Sequence, residues 1–207
     1  MRYSRKLIET LNSRTDEERL PQPLRIIEMT PNNFNEVLKI SDAVLGKNYL
    51  THEDCKNYWE NGVKNKYRNS LIAEKNNKVV GFLFAFTPGN WKPDEFCSQE
   101  EWPGKVEEAT YIKLIGVLPS YQRRGVGAKL LNKSIQIAKA QGAKLIVSHI
   151  WYNSPGEAPL RLFKKFGARE IKLYREKWYK ESLSASWQCA RCGSLCHCDS
   201  LEIVIKL

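Results

Sequence analysis

The sequence predicts a mixed α/β (α+β) domain in which a central mixed sheet is flanked by helices. Three observations predict it. Strand-like runs and helical periodicities follow one another in the order β-α-α-β-β-β-α-β-α-β-β. A near-continuous apolar run over residues 145–152 has the character of a strand buried on both faces. A strand also leads through two closely spaced glycines, Gly125 and Gly127, into an amphipathic helix. A chain of 207 residues suffices for one sizeable core with some decoration.

Residues 1–24 are polar, mixed in charge and closed by Pro21 and Pro23, and read as an N-terminal extension. The domain proper is expected over residues 25–207, with a cysteine-rich insert at about 183–200. Residues 25–30 suit a first strand ended by Pro31, and Thr30 can cap the element after it. Two helices are expected between Asn33 and Lys64, from the spacing of Phe34, Val37, Leu38 and Ile40 and then of Tyr58 and Trp59. Residues 70–74 and 79–86, separated by a turn over 75–78, read as an antiparallel hairpin. Residues 91–108 hold Pro93, Pro103 and Gly104 with no sustained apolar period, and read as a long, mostly polar loop.

After that loop come a strand over 110–117, the glycine turn, and a helix stopped by Gly142. The apolar strand is next, then a short helix opened by Pro159 and closed by Gly167. A strand from Glu170 towards Tyr179 and another over 201–207 enclose the insert.

Composition narrows the class. Hydrophobic residues make up 42% and charged residues 27%, as in ordinary soluble globular proteins. No apolar stretch approaches the length of a membrane span, and residues 1–20 lack a signal-peptide core, so a cytoplasmic location and no membrane partner are expected. The net charge of +10, from 33 basic and 23 acidic residues, favours anionic ligands. Residues 121–144 carry Arg123, Arg124, Lys129, Lys133, Lys139 and Lys144 and no acid, which suits a phosphorylated ligand, a nucleic acid or a plain solvated helix face.

Residues 115–131 carry the most information. Gly125 and Gly127 let backbone N–H groups approach an anion, and the helix they lead into adds the positive end of its dipole. A dinucleotide fingerprint would need glycine at Leu130, and a P-loop would need Gly-Lys-Ser/Thr, so neither applies. Gln122, Gly125 and Gly127 instead supply Gln/Arg-x-x-Gly-x-Gly/Ala, preceded by Val117 and Pro119 and followed by Leu130 and Leu131. This block closely resembles the acetyl-CoA-binding motif of the GNAT superfamily of N-acetyltransferases.

The resemblance extends over residues 25–167 in element order and implies the GNAT acyl-CoA N-acyltransferase fold. It implies that Gln122, Arg123, Arg124, Gly125, Val126, Gly127 and Ala128 hold the pyrophosphate of acetyl-CoA. Backbone groups of Ile115, Gly116 and Val117 would hold the pantetheine arm and the thioester. Asn153 matches the asparagine that comes after the fifth strand in many members. Phe163 falls where the family commonly places a tyrosine near the cofactor sulfur, and phenylalanine cannot donate a proton. Another donor such as Tyr152, or solvent, would then protonate the thiolate, or the thiolate would leave without much assistance; of the side chains, Tyr152 is the one selected.

The family mechanism implies direct attack of an amine on the thioester, which requires positioning, proton removal and carbonyl polarisation. Where histone acetyltransferases of the superfamily place a base glutamate, this strand offers Tyr111 and Lys113. Glu108, Glu107 or His149 would then act, and Glu108 is the residue assigned; His149 reads better as a hydrogen-bonded sheet histidine.

Cys189, Cys192, Cys196 and Cys198 fall within ten residues. A Cys-x-x-Cys turn followed by Cys-x-Cys can present four sulfurs to one structural zinc, with His197 facing away or competing as a ligand. A redox pair, a disulfide and unliganded thiols are the alternatives. Two functions are compatible with these features: an N-acetyltransferase acting on a primary amine of a small molecule or protein, or a catalytically silent acyl-CoA-binding module. The second would dock RNA or a protein through its basic surface and zinc knuckle.

Overall fold

The computed structural model describes residues 23–184 and 186–207. The extension expected over residues 1–24 lies, but for its last two positions, outside the described residues.

The chain enters the sheet at β1 (Arg25–Glu28). Thr30 and Asn33 then bracket a short 3-10 turn, the Thr30 N–H donating to Asn33 Oδ1 at 2.9 Å. Helix α1 (Phe34–Val44) buries Phe34, Val37 and Ile40 along one stripe. Helix α2 (His52–Asn61) starts on a capping box in which Asp54 N–H donates to Thr51 Oγ1 and Thr51 N–H to the Asp54 carboxylate. A small hairpin of β2 (Val63–Lys64) and β3 (Tyr67–Arg68) comes next, which periodicity did not predict. Its turn residues Asn65 and Lys66 both have positive φ, without the glycine that usually advertises such a turn.

β4 (Ser70–Lys75) and β5 (Lys78–Phe86) form the expected hairpin, turning through Asn76 and Asn77. Then come β6 (Ala109–Val117), α3 (Val126–Ala140), β7 (Leu145–Trp151), α4 (Ala158–Lys164) and β8 (Arg169–Tyr174). The strand expected to run towards Tyr179 stops at Tyr174, and a short helix α5 (Tyr179–Ser184) precedes the insert and β9 (Ser200–Lys206).

The seven-stranded sheet has the order β1-β4-β5-β6-β7-β9-β8. Its neighbours are antiparallel except β6 and β7, which run parallel. One face packs Leu83, Ile112 and Ile146 against Leu130 and Leu131 of α3 and Phe163 of α4. The other packs Phe82 and Phe84 against Val37 and Ile40 of α1. No helix of the described residues is long and apolar enough to cross a membrane.

Residues 91–108 differ from the polar loop that composition suggested. Trp91 and Trp102 pack with Ala109, Leu145, Val147 and Val204 in a core of their own. Each indole N–H finds a distant partner: Trp91 donates to the Ala109 carbonyl at 2.8 Å, and Trp102 to Glu202 Oε1 at 2.8 Å. Glu202, on β9, is fully buried. Burial raises its carboxyl pKa, opposed by donors from Trp102, the Ser98 N–H and the Tyr174 hydroxyl. Glu202 thus pins the loop to the sheet. Glu202→Ala would strand these buried donors, and we expect a loss of roughly 2–4 kcal/mol. Urea unfolding at neutral pH measures it; a loss under about 0.5 kcal/mol would refute the anchoring role.

Candidate functional site

The site begins where two strands part. β6 and β7 pair from Ala109 with Leu145 to Ile112 with Ser148, and no further. At that point β6 carries an irregularity against β5: Phe84 pairs with Leu114 but Ala85 pairs with Ile112, leaving Lys113 as the extra residue. A bulge adds local twist and bends its strand. Ser148 Oγ donates to the Ile112 carbonyl at 2.9 Å at the last paired position.

Beyond the split, β6 has β5 on one edge and open space on the other. The Leu118 N–H donates to Val80 on the β5 side at 2.9 Å, and backbone groups alternate in direction along a strand. Those of Ile115 and Val117 therefore face the gap, while Gly116 turns its own towards Phe82. Gln122 Nε2 donates to the Val117 carbonyl at 2.9 Å, tying the next loop to the end of the strand.

That loop delivers the chain to the start of α3. Arg123 and Gly125 both take positive φ, 58° and 81°, a conformation natural for glycine and uncommon otherwise. Gly125 is the N-cap; no side chain caps the helix and no acid lies in its first turn. The N–H groups of Val126, Gly127 and Ala128 consequently have no partner within the helix. With the helix dipole and Arg123 beside them, they form a receptor for an anion. Gln122, Arg123, Gly125, Val126, Gly127 and Ala128 all line the adjoining cavity; Arg124 is exposed and does not.

The cavity, of about 820 Å³, runs from this loop through the strand gap to the opposite face of the sheet. Phe163 lines it and is 1% exposed. Ser154 also lines it, with its hydroxyl buried and without a partner among the described residues. Sequence reasoning passed over Ser154, since only tertiary placement distinguishes it from any loop serine. Tyr152 and Asn153 do not line the cavity. Tyr152 packs against the core under α3 and α4, and Asn153 offers its carbonyl to Arg191 at 3.3 Å. Glu108 lies at the other end of β6, where Lys144 pairs with it and holds its carboxyl below the usual range. Its place before the first residue of β6, at the end away from the split, keeps it out of the cleft, so the structure does not bring the two residues assigned to proton transfer to the cavity.

The far half contains Asp94 and Lys177, which the sequence did not single out, beside Lys113, Tyr111 and His149, which it did. Asp94 and Lys177 pair at 3.1 Å, and the Lys177 ammonium lies over the Phe96 ring at 3.8 Å. Burial alone would raise the Asp94 carboxyl, but the Lys177 charge and hydrogen bonds outweigh it and hold it low. Burial also lowers the Lys113 ammonium. His149 Nε2 contacts the Phe96 carbonyl at 2.6 Å, and Nδ1 contacts Tyr111 Oη at 3.1 Å. A carbonyl can only accept, so Nε2 carries the proton and Nδ1 accepts from Tyr111. With both nitrogens engaged, and Glu202 surrounded by donors, the nearby group Cys97, His149 and Glu202 does not suit a metal ion.

The four cysteines of the insert do suit one. Their sulfurs all lie within 4.8 Å of one another, with 3.7 Å between Cys189 and Cys198 and 3.5 Å between Cys192 and Cys198. Zinc–sulfur bonds of about 2.3 Å in a tetrahedron require sulfurs about 3.8 Å apart. Cys189 and Gly193 bridge across the turn, and the Arg191 N–H donates to Cys189 Sγ at 3.4 Å. His197 is engaged by Glu176 at 2.6 Å.

Known proteins resemble the chain in sequence and in fold. A family model described as the acetyltransferase (GNAT) family matches residues 35–168. An uncharacterized N-acetyltransferase of Methanocaldococcus jannaschii is 30% identical over 107 residues, 51% of this chain and 41% of that protein. The match thus spans less than half of that relative's length. An N-alpha-acetyltransferase of Sulfurisphaera tokodaii is 26% identical over 145 residues, covering 69% of this chain and 78% of the relative. Among solved structures, yncA from Salmonella typhimurium with its cofactor acetyl-CoA superposes with a TM-score of 0.64 at 16% identity, covering 90% of this chain and 95% of that one. At such identity the likeness is one of fold.

The His149 environment makes stability depend on pH. Burial first, and the Lys177 charge second, push its pKa from 6.5 down to about 4. The unfolded chain therefore binds this proton first as pH falls. The contribution is intact above about pH 6.5 and is lost progressively towards pH 4, by up to about 3 kcal/mol. Urea midpoints across that range should show the decline, and His149→Asn should flatten it; an unchanged slope in the variant would contradict this account.

Proposed function

The chain belongs to the acetyltransferase (GNAT) family, a family of acyl-CoA-dependent N-acyltransferases, and from that premise we propose that it moves an acetyl group from acetyl-CoA to a primary amine of a small molecule or protein. The observation that carries this reading is the continuity of one cavity. It joins an uncapped helix N-terminus, fit for a pyrophosphate, to the open edge of β6 and then to a separate half on the other face. A cosubstrate and an acceptor can thus meet at the split without sharing a binding surface.

Bound acetyl-CoA supplies an electrophilic thioester. The N–H groups at the start of α3 receive its pyrophosphate, and the gap-facing backbone of Ile115 and Val117 receives its pantetheine arm. Ser154 is placed to hydrogen-bond the buried part of that arm. The acceptor amine reaches the carbonyl from the far half, where Asp94 and Glu181 are the carboxylates in the lining that can take the departing proton. Phe163 closes the cavity as an apolar wall and transfers no proton. The N-alpha-acetyltransferase relative supports including protein N-termini among the acceptors. Incubation with acetyl-CoA and an amine panel should release CoA in step with amine acetylation. Tight CoA binding with no turnover on any amine would favour the silent module instead.

A single substitution tests the cosubstrate end of the cavity. Gly125→Glu places a carboxylate and a left-handed strain of about 1–2 kcal/mol at the helix N-terminus. The fold should survive, while CoA affinity measured by calorimetry drops at least tenfold. Unchanged affinity in the folded variant would sink the pyrophosphate assignment.

The cysteine knuckle, in this proposal, holds one structural zinc through Cys189, Cys192, Cys196 and Cys198. Four thiolates leave no open position for a catalytic water. Protein purified under reducing conditions should contain one zinc per chain by elemental analysis, and Cys192→Ser should lower the content without abolishing CoA binding. Metal well below one equivalent in the unaltered chain counts against the site.

A further inference from the structure

We propose that the cysteine knuckle is the acceptor-recognition element of this enzyme. Its metal holds an aromatic wall against which the apolar body of the acceptor amine packs. The inference rests on the acyltransferase and metal readings above and concerns what the far half of the cleft selects: primary amines borne next to a bulky apolar or aromatic group.

The cavity that starts at α3 ends against the knuckle. Tyr49, Trp178 and Trp187 line it there together with Cys196 and Cys198. These rings are set around sulfur rather than within the main core. Trp187 and three of the cysteines form a separate buried cluster, with Tyr49, Trp151 and Trp178 packed against it. Trp187 meets Tyr49 edge-on, centroids 5.1 Å apart and planes at 83°. Whatever draws the four sulfurs together therefore also sets the position of the wall.

The knuckle is fastened to both flanks of the cleft. Its Gln188 N–H donates to the Lys47 carbonyl at 2.9 Å and its Ala190 N–H to Leu45 at 3.1 Å, joining it to the loop after α1. Arg191 reaches the Asn153 carbonyl after β7, and the Cys196 N–H donates to Ser182 Oγ of α5 at 3.0 Å. Gly46 shows how close the approach is: a Cβ there would lie 1.8 Å from the Gln188 carbonyl oxygen. Loss of the metal would loosen the roof at its centre while leaving the α3 end untouched.

Charge in this half does not favour a small polar acceptor. The lining here holds two carboxylates, Asp94 and Glu181, against two ammoniums, Lys177 and Lys113; Asp94 pairs directly with Lys177, which is further covered by Phe96, and Glu181 acts on Lys113, so no net charge of either sign stands out. The distinctive surface is aromatic, and such a surface rewards burial of an apolar body next to the amine. A free arylalkylamine and an N-terminal Phe or Leu residue share this chemistry, and the test separates them.

The experiment compares 2-phenylethylamine and a Phe-initiated peptide with ethanolamine and a Gly-initiated peptide, using metal-replete protein, chelator-stripped protein and the Trp187→Ala and Gly46→Ala variants. Steady-state KM is read for each, together with equilibrium amine binding to the CoA complex by tryptophan fluorescence. The expected result is at least a tenfold preference for the apolar acceptors in metal-replete protein. Metal removal and both substitutions should erase it, with CoA affinity shifted less than twofold. Preference for the free amine or for the peptide identifies the source. Acceptor affinity indifferent to metal and to Trp187→Ala would overturn the proposal, as would CoA affinity falling in parallel. If metal-replete protein turns over no amine, the transferase reading fails, and the fluorescence arm decides this proposal alone: no selective binding of the apolar amines overturns it.

Discussion

The interruption of pairing between β6 and β7 is the constraint on which the rest depends. Two parallel strands that separate after Ile112 and Ser148 leave backbone groups of Ile115 and Val117 without a strand partner. Buried backbone polar groups without partners are costly, so such a gap persists only where a ligand, water or another segment satisfies them. The extra residue Lys113 starts the divergence from the β5 side, and β9 holds β7 on its other edge through Trp151. The sheet is thus continuous everywhere except where a cosubstrate can complete it.

A gap in a sheet opens both faces, and each face is closed by different means. On one side α3 and α4 bring a helix N-terminus and the apolar Phe163. On the other, only the end of α1 and the short α5 reach the opening among the helices of the described residues. The loop after α1, residues 91–108 and the cysteine insert converge there, each held by a few specific contacts. Glu202 anchors the loop that carries Asp94 and Phe96, and Phe96 in turn fixes the His149 tautomer through its carbonyl. The far half of the cleft is therefore built from loops whose order comes from buried polar anchors, while the half at α3 is built from regular elements.

That division explains how much was legible in the sequence. The α3 loop could be read because its chemistry is local: Gln122, Gly125 and Gly127 sit within six residues, and spacing alone places them at a strand-helix turn. The hairpin at Asn76 and Asn77 and the stop at Gly142 were legible for the same reason. Trp91 and Trp102 were not, because their partners Ala109 and Glu202 are up to one hundred residues away. Glu108 stands close to β6 in sequence, but proximity to the strand's start sets it at the wrong end of the strand. Helix α5 is only six residues long and too short for a period to be recognised.

The insert carries the same logic to its limit. It lies between β8 and β9, and among its described residues Trp187 is the one large buried apolar side chain; the remaining buried volume at its centre is sulfur. Too little apolar surface is available there to offset the entropy of ordering a segment of this length. Its cross-turn bridge from Cys189 to Gly193 fixes one end, and its hydrogen bonds to Leu45 and Lys47 fix the roof from outside. Neither brings Cys196 and Cys198 to Cys192. Disulfides would join the sulfurs in pairs at about 2.05 Å, whereas a tetrahedral ion would hold all four at the spacing of 3.5 and 3.7 Å seen here. A stiff wall over an otherwise loop-built half of the cleft is what such an ion would supply, and its position opposite α3 would put that stiffness where the proposed acceptor has to be oriented.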